Sequence, residues 1–240
     1  MKHLLLILGL FITAEIFAQD FKKINYQINA GTIMSVPYKK TIEIWPDIEN
    51  HPRTDYGSAF GYFLDLKIQY NLNDKSAIAS GFNYSLFSVK IEDKAGMIEN
   101  KGNISTTCLN IPLFFQYKLF NKLPISVAAG PYLGILLNAK EKGTTTYDIS
   151  GLEYSESDPL IYYLEDQKYE NDIKKDYKKT DAGIVVELEY KINLGSKLSG
   201  VLLTCFNYGL VNVLTNDLAN YSNADKWKNY YFIIGIGIGL

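Results

Sequence analysis

Apolar residues recur at every second position along most of the chain after Asp20, which is the period of a β-strand. In the clearest stretch, 60–72, apolar side chains form one phase and polar side chains form the other, with Phe63 as the exception. Further stretches lie near 24–37, 76–90, 109–119, 124–139, 182–194 and 197–213, and along the last residues to Leu240. The pattern predicts eight strands, and no segment with a helical period competes with them.

The connections between the predicted strands alternate between long and short along the chain. The long ones are 38–57, 91–103, 140–180 and 214–227, and the short ones are 72–75, 120–123 and 194–197. Residues that favour tight turns fill the short connections: Asn73-Asp74-Lys75, Asn121-Lys122 and Gly195-Ser196-Lys197. This order predicts an all-β fold, an eight-stranded antiparallel up-and-down transmembrane β-barrel with every tight turn at one end.

Alternation alone does not say which phase faces water, because a soluble barrel such as a lipocalin alternates with its apolar phase inside. Three features favour the inverted arrangement, with the apolar phase in lipid. Tyrosines that match an interfacial aromatic girdle stand at the turn-side ends of that phase: Tyr26, Tyr70, Tyr117 and Tyr190. The polar phase contains small residues that suit a narrow lumen: Gly81, Gly130, Gly134, Gly235, Gly237 and Gly239. The chain also ends within its last strand, at Leu240.

The charged residues of the polar phase support the same orientation. Pointing Lys67 or Lys191 at lipid near the middle of the membrane would cost about 2–4 kcal/mol each, so a slip of one residue in register is strongly opposed. We expect six interior residues to pair with one another across the lumen: Asp65, Lys67, Lys118, Glu187, Glu189 and Lys191. The predicted interior is therefore plugged by ion pairs and is not an open pore.

The first residues are typical of a leader that is removed. Positive charge at Met1-Lys2-His3 precedes a short apolar run, Leu4 to Ile12, that is too short for a membrane helix of about 20 residues. The run suits the core of a secretory signal peptide over 1–18, with cleavage after Ala18. The alternative is a buried N-terminal helix. Cleavage would leave 19–240 as one outer-membrane β-barrel domain.

Composition excludes several classes of protein. The 240 residues contain 24 basic and 26 acidic side chains, a balance without the basic surface that nucleic-acid binders carry. Two cysteines and two histidines cannot build a zinc cluster, and no metal or cofactor is implied. Cys108 and Cys205 lie on predicted strands that are not neighbours, so we expect two free thiols, although an oxidising compartment permits a disulfide.

Short motifs along the second half of the chain are similar to those of a known family. Leu109-Asn110-Ile111-Pro112-Leu113 matches a strand of the form L-x-I-P-L, and Gly130-Pro131-Tyr132-Leu133-Gly134 matches the G-P-Y-x-G signature of the strand that follows. Asn207-Tyr208-Gly209-Leu210-Val211-Asn212 resembles the ending of the family's seventh strand, and 235–240 resembles its last strand. Together they resemble the PorT-like outer-membrane β-barrel family over 19–240.

The resemblance implies a location in the outer membrane and an eight-stranded barrel, and it does not imply an enzyme. Some members of the family are linked to protein secretion across the outer membrane. A secretion or assembly role is therefore one alternative at the level of the family.

His51 is the candidate for chemistry, since it is the one histidine that remains after the predicted leader. It lies in a polar loop with Asp47, Glu49, Arg53 and Asp55, where an outer-membrane lipid-modifying enzyme could use a histidine as its general base. A solvated loop histidine explains the same residues. No G-x-S-x-G motif and no metal-ligand spacing is present, so no catalytic, cofactor-binding or metal residue is assigned.

The loop 140–180 is the candidate for binding. It contains ten acidic residues, seven lysines and six tyrosines, a composition that supplies contact area for a protein or glycan partner. The alternative is a solvated loop, or a hairpin that continues the strand ladder above the membrane.

The sequence thus predicts a monomeric, non-enzymatic barrel of the cell outer membrane that contacts lipid, displays long extracellular loops and has a structural or interaction role. Two rival functions stay open, a small-solute channel or porin and the lipid-modifying enzyme that would use His51. A soluble ligand-binding barrel is a weaker rival.

Overall fold

Strands account for nearly all of the described residues, which in this computed structural model are 23–37, 41–43, 53–120, 123–147, 166–195, 198–215 and 227–240. The strands are β1 (Ile24–Val36), β2 (Thr41–Glu43), β3 (Arg53–Asn71), β4 (Ser76–Ala95), β5 (Ile98–Lys118), β6 (Ile125–Tyr147), β7 (Gln167–Asp172), β8 (Thr180–Asn193), β9 (Ser199–Gly209) and β10 (Tyr230–Gly239). A single turn of 3-10 helix covers Lys174–Asp176. Within these ranges, no helix has the length and apolar character needed to cross a membrane. The predicted signal peptide, 1–18, lies outside the described residues.

Eight of the strands close into a ring by antiparallel pairing. Each of the eight pairs with the next of the eight along the chain, in the order β1-β3-β4-β5-β6-β8-β9-β10, and β1 pairs with β10 to close the ring. Ile28 of β1 lies opposite Leu66 of β3 on one side and Ile238 of β10 on the other. The predicted eight-stranded barrel is therefore confirmed, and β2 and β7 are two short additions outside the ring.

The lipid-facing and lumen-facing phases are those that the alternation predicts. Leu66 is 48% exposed and Ile236 is 66% exposed, whereas Lys67 is 3% exposed and Glu189 is 1% exposed. The exposed apolar positions form a band, 60–70 on β3 for example, whose length matches the 9–11 residues of a tilted strand that crosses a bilayer. The inverted arrangement is confirmed, and the lipocalin-like alternative is wrong because its apolar phase would be buried.

The four tyrosines of the predicted girdle all stand exposed at the turn-side ends of their strands. They are Tyr26 on β1, Tyr70 on β3, Tyr117 on β5 and Tyr190 on β8. Rings at this depth place an apolar body against lipid and a hydroxyl toward the headgroups.

Phe63 interrupts the polar phase because the barrel interior contains an aromatic layer. Its ring is buried, and it lies against the backbone of Gly31 on β1 and Gly235 on β10. A Cβ atom on either glycine would overlap the ring. On the opposite wall, Gly183 gives the same room to the ring of Tyr132. Lumenal glycines therefore allow large side chains from other strands to fill a narrow barrel.

The predicted long loop at 91–103 is wrong, because β4 and β5 run through it as a paired hairpin. Ala95 and Ile98 are the last partners, and Gly96 and Met97 make the turn with Gly96 at φ +58°. Glycine adopts this left-handed conformation without steric cost. Beyond the membrane both faces of a strand meet water, so the apolar alternation that marks a strand in the sequence is lost while the backbone pairing continues.

The connections 140–180 and 38–57 also contain strand pairing. β6 continues to Tyr147, and β7 pairs with it from Lys140↔Asp172 to Thr145↔Gln167. This is the hairpin alternative for that segment, while 148–165 lies outside the described residues. β2 pairs with the start of β3 at Thr41↔Asp55.

These additions build a sheet beyond one side of the barrel. We call it the loop-side sheet, and it comprises β2, β7, and residues 53–59 of β3, 87–95 of β4, 98–107 of β5 and 138–147 of β6. The register shifts between Ser58 and Tyr62 and between Thr107 and Cys108 both lie where the barrel meets this sheet. Bulges of this kind bend strands at the rims of barrels.

Candidate functional site

A cluster of buried charges fills the lumen near its middle. The Lys67 ammonium on β3 pairs with Glu189 on β8 at 2.9 Å, and it also pairs with Glu187 on the same strand. All three side chains are at most 4% exposed. Lys67 Nζ additionally lies 4.9 Å from the centre of the Phe114 ring, within range of a cation–π contact. Because Lys67 reaches across the barrel from the opposite wall, the cluster ties β3 to β8.

Neutral side chains complete the hydrogen bonding of Glu189. Gln27 Nε2 donates to Oε1 at 2.8 Å, and Gln116 Nε2 donates to Oε2 at 2.6 Å. Ser126 Oγ lies 3.4 Å from the same Oε2 atom. With its oxygens already accepting hydrogen bonds, this carboxylate is held as a structural group and is poorly placed to act as a base or a metal ligand.

A third carboxylate lies one layer away on β3. Asp65 accepts a hydrogen bond from Asn29 Nδ2 at 2.8 Å, and Asn29 in turn accepts one from Gln27 at 2.9 Å. Lys191 joins from the turn side, with its ammonium 3.9 Å from Glu189 Oε2. We call Asp65, Lys67, Glu187, Glu189 and the Gln27, Asn29 and Gln116 amides the interior ion cluster.

An aromatic layer lies above the interior ion cluster, toward the loop side. Tyr132 donates its hydroxyl hydrogen to Asp181 Oδ2 at 3.1 Å, and Asn229 Nδ2 donates to the same oxygen at 2.9 Å. The rings of Phe87 and Tyr231 pack at a tilt of 40° with centroids 4.4 Å apart. This layer separates the buried charges from the loop-side mouth of the barrel.

The loop-side mouth is closed by Trp227 and the residues around it. The Trp227 ring packs on Tyr56 with centroids 4.6 Å apart, and its backbone carbonyl accepts from the Val213 N–H at 2.9 Å. Asn212 Oδ1 accepts from the Trp227 N–H at 2.8 Å. Burial, followed by the nearby charges of Asp93 and Glu141, raises the pKa of Tyr56 to about 12. The side chain therefore stays neutral, as a packed group must.

Charges on the loop-side sheet are paired but open to water. On β4 and β5, Lys94 contacts Glu92 and Glu99 at 3.0 Å each, and Lys101 contacts Glu99 at 2.7 Å. Hydrogen bonds from Lys101 and then Lys94 lower the pKa of Glu99 to about 2. We call these four residues the exposed ion ladder.

A second exposed group joins β6 to β7. Lys140 and Lys142 both contact Glu170, at 2.7 and 2.9 Å. Hydrogen bonds from these two lysines lower the pKa of Glu170 to about 2. Tyr169, one of the tyrosines of the predicted binding loop, instead donates to Glu141 at 2.9 Å and packs over Gly102 and Gly143.

Most of the six residues expected to pair in the lumen do meet there. Asp65, Lys67, Glu187, Glu189 and Lys191 lie in or beside the interior ion cluster. Lys118 is the correction, because it lies half-buried at the turn-side mouth and forms no ion pair with any described residue. It is the last lumen-facing residue of β5, and is too far toward the turn side to reach the interior acids.

The remaining predicted residues have different outcomes. Cys108 on β5 and Cys205 on β9 are buried and free, as expected for strands that are not neighbours. Cys205 Sγ donates to Glu187 Oε2 at 3.4 Å. His51 lies outside the described residues. Among the residues that are described, no group of three or more histidine, cysteine, aspartate or glutamate side chains could hold a metal ion.

Sequence reasoning missed the neutral members of the interior ion cluster. The available signal was their position in the alternating pattern: Gln27 and Asn29 lie in the lumen-facing phase of β1, and Gln116 lies in that of β5. That phase shows that they point inward, but not which carboxylate each one contacts.

Comparisons with known proteins give a family model and several solved structures that are similar to the chain. A family model described as an outer membrane protein beta-barrel domain matches residues 17–215. No curated protein matches the sequence. Among solved structures, the chain is similar to neisserial surface protein A, with 13% identity, coverage of 90% of this chain and 96% of that chain, and a TM-score of 0.45.

Two further solved barrels are similar to the chain. OprG from Pseudomonas aeruginosa has 12% identity, coverage of 90% of this chain and 95% of that chain, and a TM-score of 0.43. Ail from Yersinia pestis has 12% identity, coverage of 91% and 99%, and a TM-score of 0.35.

Proposed function

Because the chain belongs to the family of outer membrane protein beta-barrel domains, we propose that it is a closed, non-enzymatic barrel that presents its loop-side sheet to partners outside the cell. The family places the chain in the outer membrane. In barrels of this class the short turns face the periplasm and the longer connections face outward. The loop-side sheet would then be the extracellular part of the molecule.

The observation that carries the proposal is the continuation of paired strands beyond the apolar band. β4 runs on from 89 to 95 in pairing with β5, and 89–94 also pair with β3. At about 3.3 Å per residue this segment adds about 23 Å of strand length beyond the membrane. A hydrogen-bonded sheet of this kind offers a partner a preformed surface, which lowers the entropy lost on binding.

The partner chemistry that suits this surface is polar. The sheet's outward face carries the exposed ion ladder, with Lys94 and Lys101 each more than half exposed, and the Lys140–Lys142–Glu170 group beside it. Mixed charges of both signs favour a protein or glycan partner with complementary charges, bound through the region 140–180 and its neighbours on β4 and β5.

The filled lumen argues against the rival channel function. The interior ion cluster and the aromatic layer of Tyr132, Tyr231 and Phe87 occupy successive levels of the barrel. We expect the purified barrel in planar bilayers to give no conductance steps above the lipid background. Regular steps of constant size would support the small-solute channel instead.

The rival enzyme function rests on His51 alone. We expect His51→Ala to leave the lipid profile of the outer membrane unchanged, as measured by mass spectrometry of extracted lipids. Loss of one modified lipid species in the variant, restored by the wild-type chain, would support the lipid-modifying enzyme.

A labelling experiment tests the display of the sheet directly. Lys101→Cys places a thiol on the exposed ion ladder, and Lys75→Cys places one in a turn at the opposite end of the barrel. A membrane-impermeant maleimide should label the first in intact cells and the second after the outer membrane is permeabilised. The reverse order would contradict the proposed orientation.

Two narrower assignments belong to the same proposal. The motifs at 109–113 and 130–134 support membership of the PorT-like family, and through it a link to protein secretion or assembly. Cells lacking the chain should then release less secreted protein than cells that express it. We also propose a monomer, which chemical crosslinking in membranes should recover as a single-chain species.

A further inference from the structure

The connection between β7 and β8 lies beside the loop-side end of the lipid-facing apolar band. We call residues 173–179 the lysine ledge, because it contains Lys174, Lys175, Lys178 and Lys179. On the neighbouring strand β6, the lipid-facing residues Leu133, Ile135 and Leu137 are between 39% and 51% exposed, and Leu137 is the last of them toward the loop side. The ledge therefore lies where the apolar interior of a membrane gives way to lipid headgroups.

Backbone hydrogen bonds hold the lysine ledge against the barrel on two sides. Toward β6, the Leu136 N–H donates to the Lys179 carbonyl oxygen at 2.9 Å. Toward the segment that follows β9, the Lys178 N–H donates to the Val213 carbonyl oxygen at 2.7 Å. A ligand at the ledge thus meets a preformed backbone, which lowers the entropy lost on binding.

One ammonium group of the ledge is held at the edge of the apolar band. Leu137 has no partner residue on β5, because the register shift there passes from Leu136 to Asn138. The Lys174 ammonium donates to the Leu137 carbonyl oxygen at 2.6 Å. An ammonium has three donors, so two remain for a ligand. The contact fixes one positive charge at the level of the last lipid-facing residue.

The lysines of the ledge outnumber the carboxylates that share their side of the barrel wall. None of the four forms an ion pair with any residue in the described part of the chain. The nearest acids along the chain are Asp172, which accepts from the Lys174 backbone N–H at 2.9 Å, and Asp176. Asp181 is 8% exposed and faces the lumen. Glu170 already contacts two lysines of β6.

We propose that the lysine ledge binds the phosphate of a phosphorylated lipid headgroup in the outer leaflet. Lys174 would be the fixed contact, and the other three lysines would add positive charge from the same backbone. Depth favours a lipid over a soluble partner, because headgroups fill the space beside the last lipid-facing residues. Basic side chains at this level attract anionic headgroups within a Debye length. The choice of leaflet rests on the orientation in the proposed function, whereas the binding site itself does not.

The first experiment measures lipid retention by native mass spectrometry of the full chain in detergent micelles. The probes are diphosphoryl lipid A and a synthetic counterpart with the same acyl chains and no phosphate. We expect the phosphorylated lipid to be retained about tenfold more strongly. Equal retention of the two lipids would overturn the proposal. Displacement of lipid A by the same concentration of inorganic phosphate or polyglutamate would overturn the assignment to a lipid headgroup.

The second experiment compares two variants that lose the same charge. Replacing the four ledge lysines with glutamine should weaken retention of diphosphoryl lipid A by about tenfold. The control replaces four lysines of the loop-side sheet that lie farther from the apolar band, and it should change retention by less than about twofold. These are Lys94, Lys101, Lys142 and Lys168. Equal losses in the two variants, or no loss in the ledge variant, would overturn the proposal.

Single variants test the role of the fixed ammonium. Lys174→Gln should weaken retention more than Lys175→Gln, and the reverse order would overturn the assignment of Lys174 as the fixed contact. An unboiled gel should show a folded band for every variant. Micelles leave both ends of the barrel accessible, so lipid retention is independent of orientation. Failure of the lipid site is therefore distinguishable from failure of the proposed orientation, which the maleimide labelling tests.

Discussion

The interior ion cluster and the exposed ion ladder contain the same kinds of charged residue at similarly short distances, but they differ in their access to water. Lys67 meets Glu189 at 2.9 Å with both side chains at most 2% exposed. Lys101 meets Glu99 at 2.7 Å with the lysine side chain 58% exposed. A short distance between ions therefore says little about stability until burial is known.

The difference follows from what each charge would meet if its partner were removed. A lysine on the ladder would be solvated by water, so the loss of its pair costs little. Inside the lumen, the partners of Lys67 are enclosed by the barrel wall and by the aromatic layer. The neutral donors around Glu189 reinforce this contrast, since Gln27 and Gln116 have no counterparts on the ladder.

The largest effect should come from removing the buried ammonium. Lys67→Met leaves Glu187 and Glu189 as neighbouring buried carboxylates without their shared cation. Breaking a buried pair in this way costs about 3–5 kcal/mol of unfolding free energy. Urea unfolding in detergent, followed by the shift between the folded and unfolded bands on an unboiled gel, would measure it.

The control for that variant is Lys101→Met on the exposed ion ladder. It removes an ammonium from a contact that is shorter than the 2.9 Å of Lys67 to Glu189. We expect its urea midpoint to stay close to that of the wild type. Equal losses in the two variants would show that burial does not separate the two regions.

A smaller effect is expected from crowding the interior. In Gly235→Ala the new methyl group would overlap the Phe63 ring, so the ring or the backbone must move. Overpacking of this kind costs about 1–3 kcal/mol. In Gly195→Ala, at a turn outside the barrel, no atom lies within 4 Å of the new methyl group. The same urea assay should separate the two variants, and an equal response would argue that the lumen is loosely packed.

The exposed ion ladder should be visible in the titration of one carboxyl group. The pKa of Glu99 is lowered from 4.5 to about 2 by hydrogen bonds from Lys101 and Lys94. Because the folded-state pKa is the lower one, the pair stabilises the fold above the unfolded pKa, and that stabilisation is lost as the pH falls through about 2. Because water screens this exposed pair, carboxyl carbon NMR should report a midpoint that is lowered below 4.5 and that moves upward in high salt.

Replacing both lysine partners tests the cause of that shift. In the double variant Lys94→Gln and Lys101→Gln, the midpoint of Glu99 should return toward 4.5. The unfolding free energy should change little, since the group is exposed. A wild-type midpoint near 4.5 would mean that water breaks these contacts.

The smallest effect is expected when the folded protein is treated with a thiol reagent, because the two native cysteines should not react. Cys108 and Cys205 are buried within the barrel, so a maleimide should leave both unmodified in the folded protein and modify both in urea. Lys101→Cys supplies the matched exposed thiol. Fast labelling of either native thiol would show that the lumen opens to solvent.

The alternation of Leu64, Asp65, Leu66 and Lys67 was enough to predict which side of β3 faces lipid. That prediction succeeded because lipid and lumen differ sharply in polarity, and each position in a strand points to one or the other. The same rule failed beyond the membrane, where β4 and β5 meet water on both faces. The turn at Gly96 and Met97 was therefore hidden inside a predicted loop.

The sequence by itself determined the ring of alternating strands, its lipid-facing side and the polar character of its interior, because these depend on local period and on the cost of charge in lipid. Only the tertiary structure decided which interior groups meet. These contacts depend on barrel closure and on the register between strands that are distant in sequence. Closure brings Lys67 to Glu189 and places the Phe63 ring over Gly31. It also leaves the buried Oε1 atom of Gln116 without a hydrogen-bond donor. Closure also left Lys118 apart from the interior acids, at the turn-side mouth of the barrel.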